Sequence, residues 1–501
     1  MPHRHTALPA HLHDIRRQVE GHARGYGLDF YEVVFEVLGF DEINMVAAYG
    51  GFPNRYPHWR FGMEYERLAK GYEYGLSKIY EMVVNNDPTY AYLLESNMEV
   101  DQKLVMAHVF GHADFFKNNF MFRHTNRKMM DQMANHATRV RRHQDRLGVE
   151  KVEDLVDRCL SLENLVDYQA PYVRRRPAAG ADDDAPPVAR GFRAEREYMK
   201  DYINPPEFLQ EQQRRLDEDA ARAKKVPERP EQDVLLFLLE HAPLERWEHD
   251  VLAIVREEAY YFAPQGQTKI MNEGWATYWH SRIMTERALR PEEVVDYADH
   301  HSGTLATSPG QLNPYKLGYE LYCDIERRWN TGRFGKDYEE CDDIARKAAW
   351  NRDTGQGREK IFQVRAIYND MTFIDEFLTE EFCHEQKLFT YSLNERNNRY
   401  EIADRDFRAV KEKLLFSLTN MGHPHITVVD GNFENRGELY LKHRFDGVEL
   451  RLDFAKATLE ALHRVWTRPV HVQTVVGEAA TLLSFDGSTH RERALTDSTA
   501  A

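Results

Sequence analysis

A mainly α N-terminal region followed by a small C-terminal α+β domain with an antiparallel sheet is the fold class that this sequence predicts. Three observations point to it. Apolar residues recur at helical spacing, with breaks, as far as about residue 389. Beyond residue 390, HITVVDGNF, GELYLKHRF and VHVQTVV are short β-like runs with turn signals between them. Among them sits DFAKATLEALHRVWTR, whose apolar residues share one helical face. The predicted division is residues 1–389 as a multi-helix region, 390–486 as the α+β domain and 487–501 as a disordered tail.

From the N-terminus, DFYEVVFEVLGFDEINMVAAYGG has helical apolar spacing and ends at Gly50–Gly51. FPNRYPHWRFG follows as an aromatic-rich loop, and EYERLAKGYEYGLSKIYEMV resumes the helical pattern. Residues 176–191, RPAAGADDDAPPVARG, have too little apolar character to pack and read as a mobile surface loop. Residues 210–232 are densely charged, either a solvated helix or more of the same insertion, so about 176–232 is read as one mobile segment. Helical spacing returns with DVLLFLLEHAPLERWEHDVLAIVREEAYYF. The tail, GSTHRERALTDSTAA, has the composition of a disordered end.

The 501 residues suffice for two or three domains with a large core. The net charge of −16, from 66 basic and 82 acidic residues, argues against a nonspecific nucleic-acid or anionic-membrane binder. No segment has the roughly 18 consecutive apolar residues of a membrane span. The N-terminal MPHRHTALPAHLHDIRR lacks the apolar stretch of a signal peptide. Cys159, Cys323, Cys341 and Cys383 are widely spaced and read as reduced thiols. A cytoplasmic protein is the expectation.

Two helical segments carry the chemistry. KLVMAHVFGHADFF sets His108 and His112 one turn apart, so both imidazoles project from one side of a helix. With 23 histidines in 501 residues, about one such pair is expected by chance, so the pair alone decides little. Its setting adds weight: Leu104, Val105, Val109, Phe115 and Phe116 fall around the same inward sector. Inward imidazoles need partners, and a metal or a carboxylate network supplies them. TKIMNEGWATYWHS carries Asn272 and Glu273, and a carboxylate from this second helix would complete a three-ligand site with one open position. An open position is the mark of a catalytic metal, zinc first, with iron or manganese as alternatives.

REEAYYFAPQGQTKIMNEGWATYWH, LNPYKLGYELYCDIERRW, NDMTFIDEFLTEEF and TNMGHPHITVVDGNFENRGELYLKH resemble the blocks of the stage V sporulation protein R family, the SpoVR-like proteins. The resemblance runs from about the first helix to residue 486. It implies a bacterial cytoplasmic protein, tied in spore formers to making the peptidoglycan cortex and often encoded beside a serine protein kinase. It implies no reaction. The metal pattern is similar to that of the gluzincin metallopeptidases, which implies a metallopeptidase-like core with His108, His112 and Glu273 as zinc ligands. The gluzincin glutamate that follows the first histidine is replaced here by Val109.

A base must then come from elsewhere. Glu258 falls on the apolar stripe of Trp247, Val251, Ile254, Val255 and Phe262, and is the candidate; a buried ion pair is the structural alternative. His280 lies seven residues after Glu273, about 10.5 Å along the axis, too far to share a metal; it is cast as a catalytic proton donor, oxyanion stabiliser or substrate contact. Glu95, Asn97, Asp114, Gln265, Lys269 and Asn272 are substrate-binding or ligand-orienting candidates, Asp114 as a partner for a histidine and Lys269 for a substrate carboxylate. His423 and His425 read as structural. The expected activity is a zinc-type amidase or peptidase acting on a peptide or peptidoglycan-type substrate. The alternatives are a carboxylate-bridged di-metal protein, motivated by Glu381 and His384 as an E-x-x-H pair, and a regulatory scaffold without activity.

Overall fold

Alternation, not helical spacing, governs the first apolar run. The computed structural model describes residues 8–73, 79–173, 205–223, 226–308, 311–394 and 398–495. After helix α1 (Ala10–Gly25), Val33–Leu38 forms strand β1 with Val33, Phe35 and Val37 turned inward. Only Phe40–Ala48 of that run is helical, as α2. The expected single helix over 29–51 is therefore wrong in its first half, because a strand buried on one face satisfies a dense apolar run equally well. The next expected helix is α3 over Trp59–Glu73, but Glu81–Val84 is strand β2. Strand β3 (Thr89–Leu94) lies between the other two, parallel to β1 and antiparallel to β2. This three-stranded sheet is absent from the predicted fold.

Helices α4 (Glu99–Asn118), α5 (Met129–Leu147) and α6 (Val149–Ser161) follow. Helix α7 (Pro206–Ala223) lies inside the expected insertion, whose residues 176–204 and 224–225 are outside the described ones. Helices α8 (Val234–His241), α9 (Arg246–Gln267), α10 (Lys269–Ile283), α11 (Val294–Thr304) and α12 (Pro314–Thr331) complete the long helical stretch. Short helices follow: α13 (Lys336–Glu339), α14 (Ile344–Ala348), α15 (Gly357–Ile367), α16 (Asp370–Phe377) and α17 (Glu380–Glu385). Strands β4 (Thr390–Asn394) and β5 (Arg399–Asp404) pair only with each other, and α18 (Phe407–Leu418) ends this part.

The C-terminal sheet begins at Ile426. Its strands are β6 (Ile426–Phe433), β7 (Glu438–His443), β8 (Val470–Val476), β9 (Ala479–Phe485) and β10 (His490–Ala494), in the order β10-β9-β8-β7-β6. All neighbours are antiparallel except β7 and β8, which are joined through helix α19 (Leu452–Trp466) and run parallel. A helical crossover returns the chain in the same direction, where a tight turn reverses it. Leu459, Leu462 and Val465 of α19 are buried, and each such side chain contributes about 2 kcal/mol. Residues 490–494, expected in a disordered tail, are an edge strand whose ladder with β9 satisfies their backbone; residues 496–501 are outside the described ones.

The chain divides into two compact units, each assembled from two stretches: residues 1–146 with 261–422, and 147–260 with 423–501. The β4–β5 hairpin belongs to the first unit, so the C-terminal sheet unit starts later than residue 390 and also includes residues 147–260.

Candidate metal centre

Three helices of the first unit meet through small residues. A Cβ on Gly111 of α4 would stand 2.6 Å from the Cα of Ala276 on α10. A Cβ on Gly274 of α10 would stand 2.3 Å from the carbonyl carbon of Gly318 on α12. Backbones in such contact place the side chains flanking the glycines within reach of one another. His108 and His112 flank Gly111, and Glu273 precedes Gly274.

The start of α10 is fixed from outside the helix. Its N-cap residue, Thr268, turns its hydroxyl back to the Pro264 carbonyl. The carboxylate of Asp370, at the start of α16, instead accepts from Ile270 N at 2.8 Å and Met271 N at 2.9 Å. Two orphan donors of the helix end are thereby satisfied three and two residues before Glu273. Burial pushes the Asp370 carboxyl up to about 7, against the pull of those two amides.

His108, His112 and Glu273 converge, each offering a ligand atom within 4.8 Å of the others. Both Nε2 atoms lie 3.4 Å from Glu273 Oε2. A charge-assisted hydrogen bond would be about 2.7–2.9 Å. Ligands at about 2.0–2.1 Å in tetrahedral array around one ion stand about 3.4 Å apart. His108 Nε2 and Glu273 Oε2 are also buried without a hydrogen-bond partner, so the donor set fits a divalent cation. Among the described residues this is the group of side chains placed so that it could hold a metal ion.

The far nitrogens are held. His112 Nδ1 is 2.9 Å from Asn272 Oδ1, which makes Nδ1 the protonated nitrogen and leaves Nε2 a lone pair. His108 Nδ1 is 2.9 Å from His280 Nδ1, and His280 Nε2 is 3.2 Å from His301 Nδ1. His280 thus has histidines on both nitrogens and stands directly behind His108. Burial, then the neighbouring histidine charges, holds its pKa well below the ordinary value. Burial and the His112 charge push His108 down to about 4. Burial opposes protonation of His112, but the Glu273 charge outweighs it and raises the pKa. For Glu273 burial works upward, and the two histidines overcome it and hold the carboxyl well below its usual range.

Two groups that the sequence reading missed complete the surroundings. Glu81 on β2 feels the charges of His112, Glu273 and His300, and burial pushes its carboxyl up to about 7. Tyr315, the second residue of α12, stacks on His108 at 6.1 Å between ring centroids and feels the charge of Glu273. Burial, then the charges of Glu273 and Glu81, keeps that phenol protonated. Nearby, His300 Nδ1 is 2.8 Å from Asp101 Oδ1. Glu81 was hidden by the helical reading of its strand. The Asn313–Pro314 helix start before Tyr315 was a usable signal, since Asn313 does cap α12.

The other candidates are placed as follows. Asp114 does not orient a histidine: two residues is about 200° around a helix, and its carboxylate instead accepts from Trp275 Nε1 at 2.8 Å and Asp29 N at 2.8 Å, beside Arg365. Glu95 is exposed and Asn97 buried, and both line a separate cavity of about 390 Å³ that contains none of the triad. Gln265 is half-buried and Lys269 exposed. Glu258 is buried on the part of α9 that belongs to the other unit. Glu381 and His384 both face solvent on α17, with His384 beside Glu380, so this E-x-x-H pair joins no cluster of metal-binding side chains among the described residues.

The profile of the SpoVR like protein family matches residues 7–423, and that of the SpoVR-like C-terminal domain matches residues 424–477. The junction between them coincides with the return of the chain to the second compact unit at His423. A protein of Escherichia coli (strain K12), named only as uncharacterized protein YcgB, is 30% identical over 477 residues, which span 90% of this chain and 89% of that one. No solved structure matches. On the full-length match to both profiles, the chain belongs to the SpoVR family.

Proposed function

We propose that the protein is an amide hydrolase dependent on one divalent metal, zinc in the first place and iron or manganese as alternatives, held by His108, His112 and Glu273. The observation that carries the reading is the pair of 3.4 Å separations about a buried, otherwise partnerless Glu273 Oε2. A divalent ion there supplies Lewis acidity to a carbonyl and acidifies water. The remaining work falls to the chain. Asn272 presents the His112 Nε2 lone pair, and Tyr315 packs on the His108 ring beside the Glu273 carboxylate. Glu81, with a carboxyl at about 7, is matched to accepting a proton near neutrality and replaces Glu258 as the favoured base.

The substrate class rests on the family resemblance alone: a peptide or peptidoglycan-type amide, handled in the cytoplasm, with a functional link to a serine protein kinase. No helix among the described residues is long and apolar enough to cross a membrane. The test begins with elemental analysis of protein purified without chelator. About one zinc per chain is expected, lost in His108→Ala and Glu273→Ala. Glu81→Gln should keep the metal while hydrolysis of peptidoglycan-derived peptides falls by roughly two to four orders of magnitude. Metal-free protein that takes up no zinc overturns the reading in favour of a scaffold without chemistry.

A further inference from the structure

A second cavity, of about 520 Å³, opens in the first unit between the start of α12, the end of α17, β4 and α18. Its size falls within the range of small-molecule sites. Leu317, Phe382 and Val410 form a buried apolar floor, with Phe389 and Leu414 along the walls. Lys316, Lys387 and Lys413 also line it, against the single acid Glu320. Lys316 acts on Glu320 through its charge, and the lysines outnumber that acid three to one. Burial raises the Glu320 carboxyl, and the charges of Lys316 and Arg327 oppose that shift.

Three lysines against one acid around an apolar cavity suit a ligand that brings negative charge from outside. We propose that this cavity binds a small amphipathic anion, an aliphatic body ending in a carboxylate. The chain rests on the apolar floor and the carboxylate lies among Lys316, Lys387 and Lys413. The cavity shares no residue with the metal centre, and the proposal is independent of the hydrolase reading.

Displacement of the fluorescent probe 1-anilinonaphthalene-8-sulfonate from the full chain tests it. The competitors are laurate, dodecanol and dodecyltrimethylammonium, below their micellar concentrations. Laurate should displace the probe at about tenfold lower concentration than dodecanol, and the cation should not compete. In Lys316→Ala/Lys413→Ala the preference for laurate over dodecanol should disappear while the melting temperature is unchanged. Leu414→Trp, which fills the space, should abolish displacement by both. Equal competition by the three chains, or a laurate preference that survives removal of the lysines, overturns the proposal.

Discussion

His108 and His112 are held by partners of different character, and their variants should differ accordingly. Asn272 Oδ1 only accepts, so it selects one tautomer of His112. Asn272→Leu should weaken metal binding about 10–100-fold, read by competition with a chromophoric chelator. His280 is itself adaptable, because either facing nitrogen can carry the proton. His280→Gln can still accept from His108 and should bind metal nearly as well as the native chain, whereas His280→Leu should match the loss in Asn272→Leu. Equal losses in both His280 variants would show a space-filling role instead. Glu81 titrates at about 7, and a base acts only when deprotonated. The rate should therefore climb as pH rises through about 7 and level off above it, and Glu81→Gln should lack that limb.

Among the elements, α10 depends on contacts that leave no room for a methyl group. Gly274→Ala would bring its Cβ to 2.3 Å from the Gly318 backbone, and a loss of about 3 kcal/mol is expected in thermal melts. Gly62→Ala, in α3 with nothing within 4 Å, is the control and should stabilise slightly. Asp370→Ala removes the acceptor of two helix-end amides and should cost about 1–2 kcal/mol. Because burial raises the Asp370 pKa, its contribution is fullest below the unfolded value of 3.8 and declines as pH rises through about 7; the alanine variant should lose this slope. What could be read from sequence followed the range of each signal. The His108/His112 spacing and the Asn272–Glu273 pair are local, and helix geometry carries them directly to the centre. Asp114 misled because proximity in sequence was taken for a shared face. β1 misled because Val33 to Leu38 satisfies either period, and with it went the sheet that brings Glu81 to the site. Tyr315 and Asp370 act across long sequence separations that no local pattern records.

For the whole molecule, binding to the folded state alone should raise its stability. Zinc at about a hundredfold over its Kd adds about 2.7 kcal/mol, and His108→Ala should abolish the gain. Hydrogen exchange on zinc addition should slow in Glu99–Asn118 and Lys269–Ile283, with little change in the strands from Ile426 onward. Protection spread evenly over both units would contradict a site confined to the first. The glycine contacts set one further condition. Where backbones already touch, α4 and α10, which bear the three proposed ligands, have no compressible padding between them, as the jaws of a calliper closed against a stop. Such a gauge cannot shrink around a smaller ion, and widening it means parting α4, α10 and α12 along their length. Discrimination among cations would then reside in main-chain clearance, and libraries that vary the ligands alone would leave that gauge unchanged.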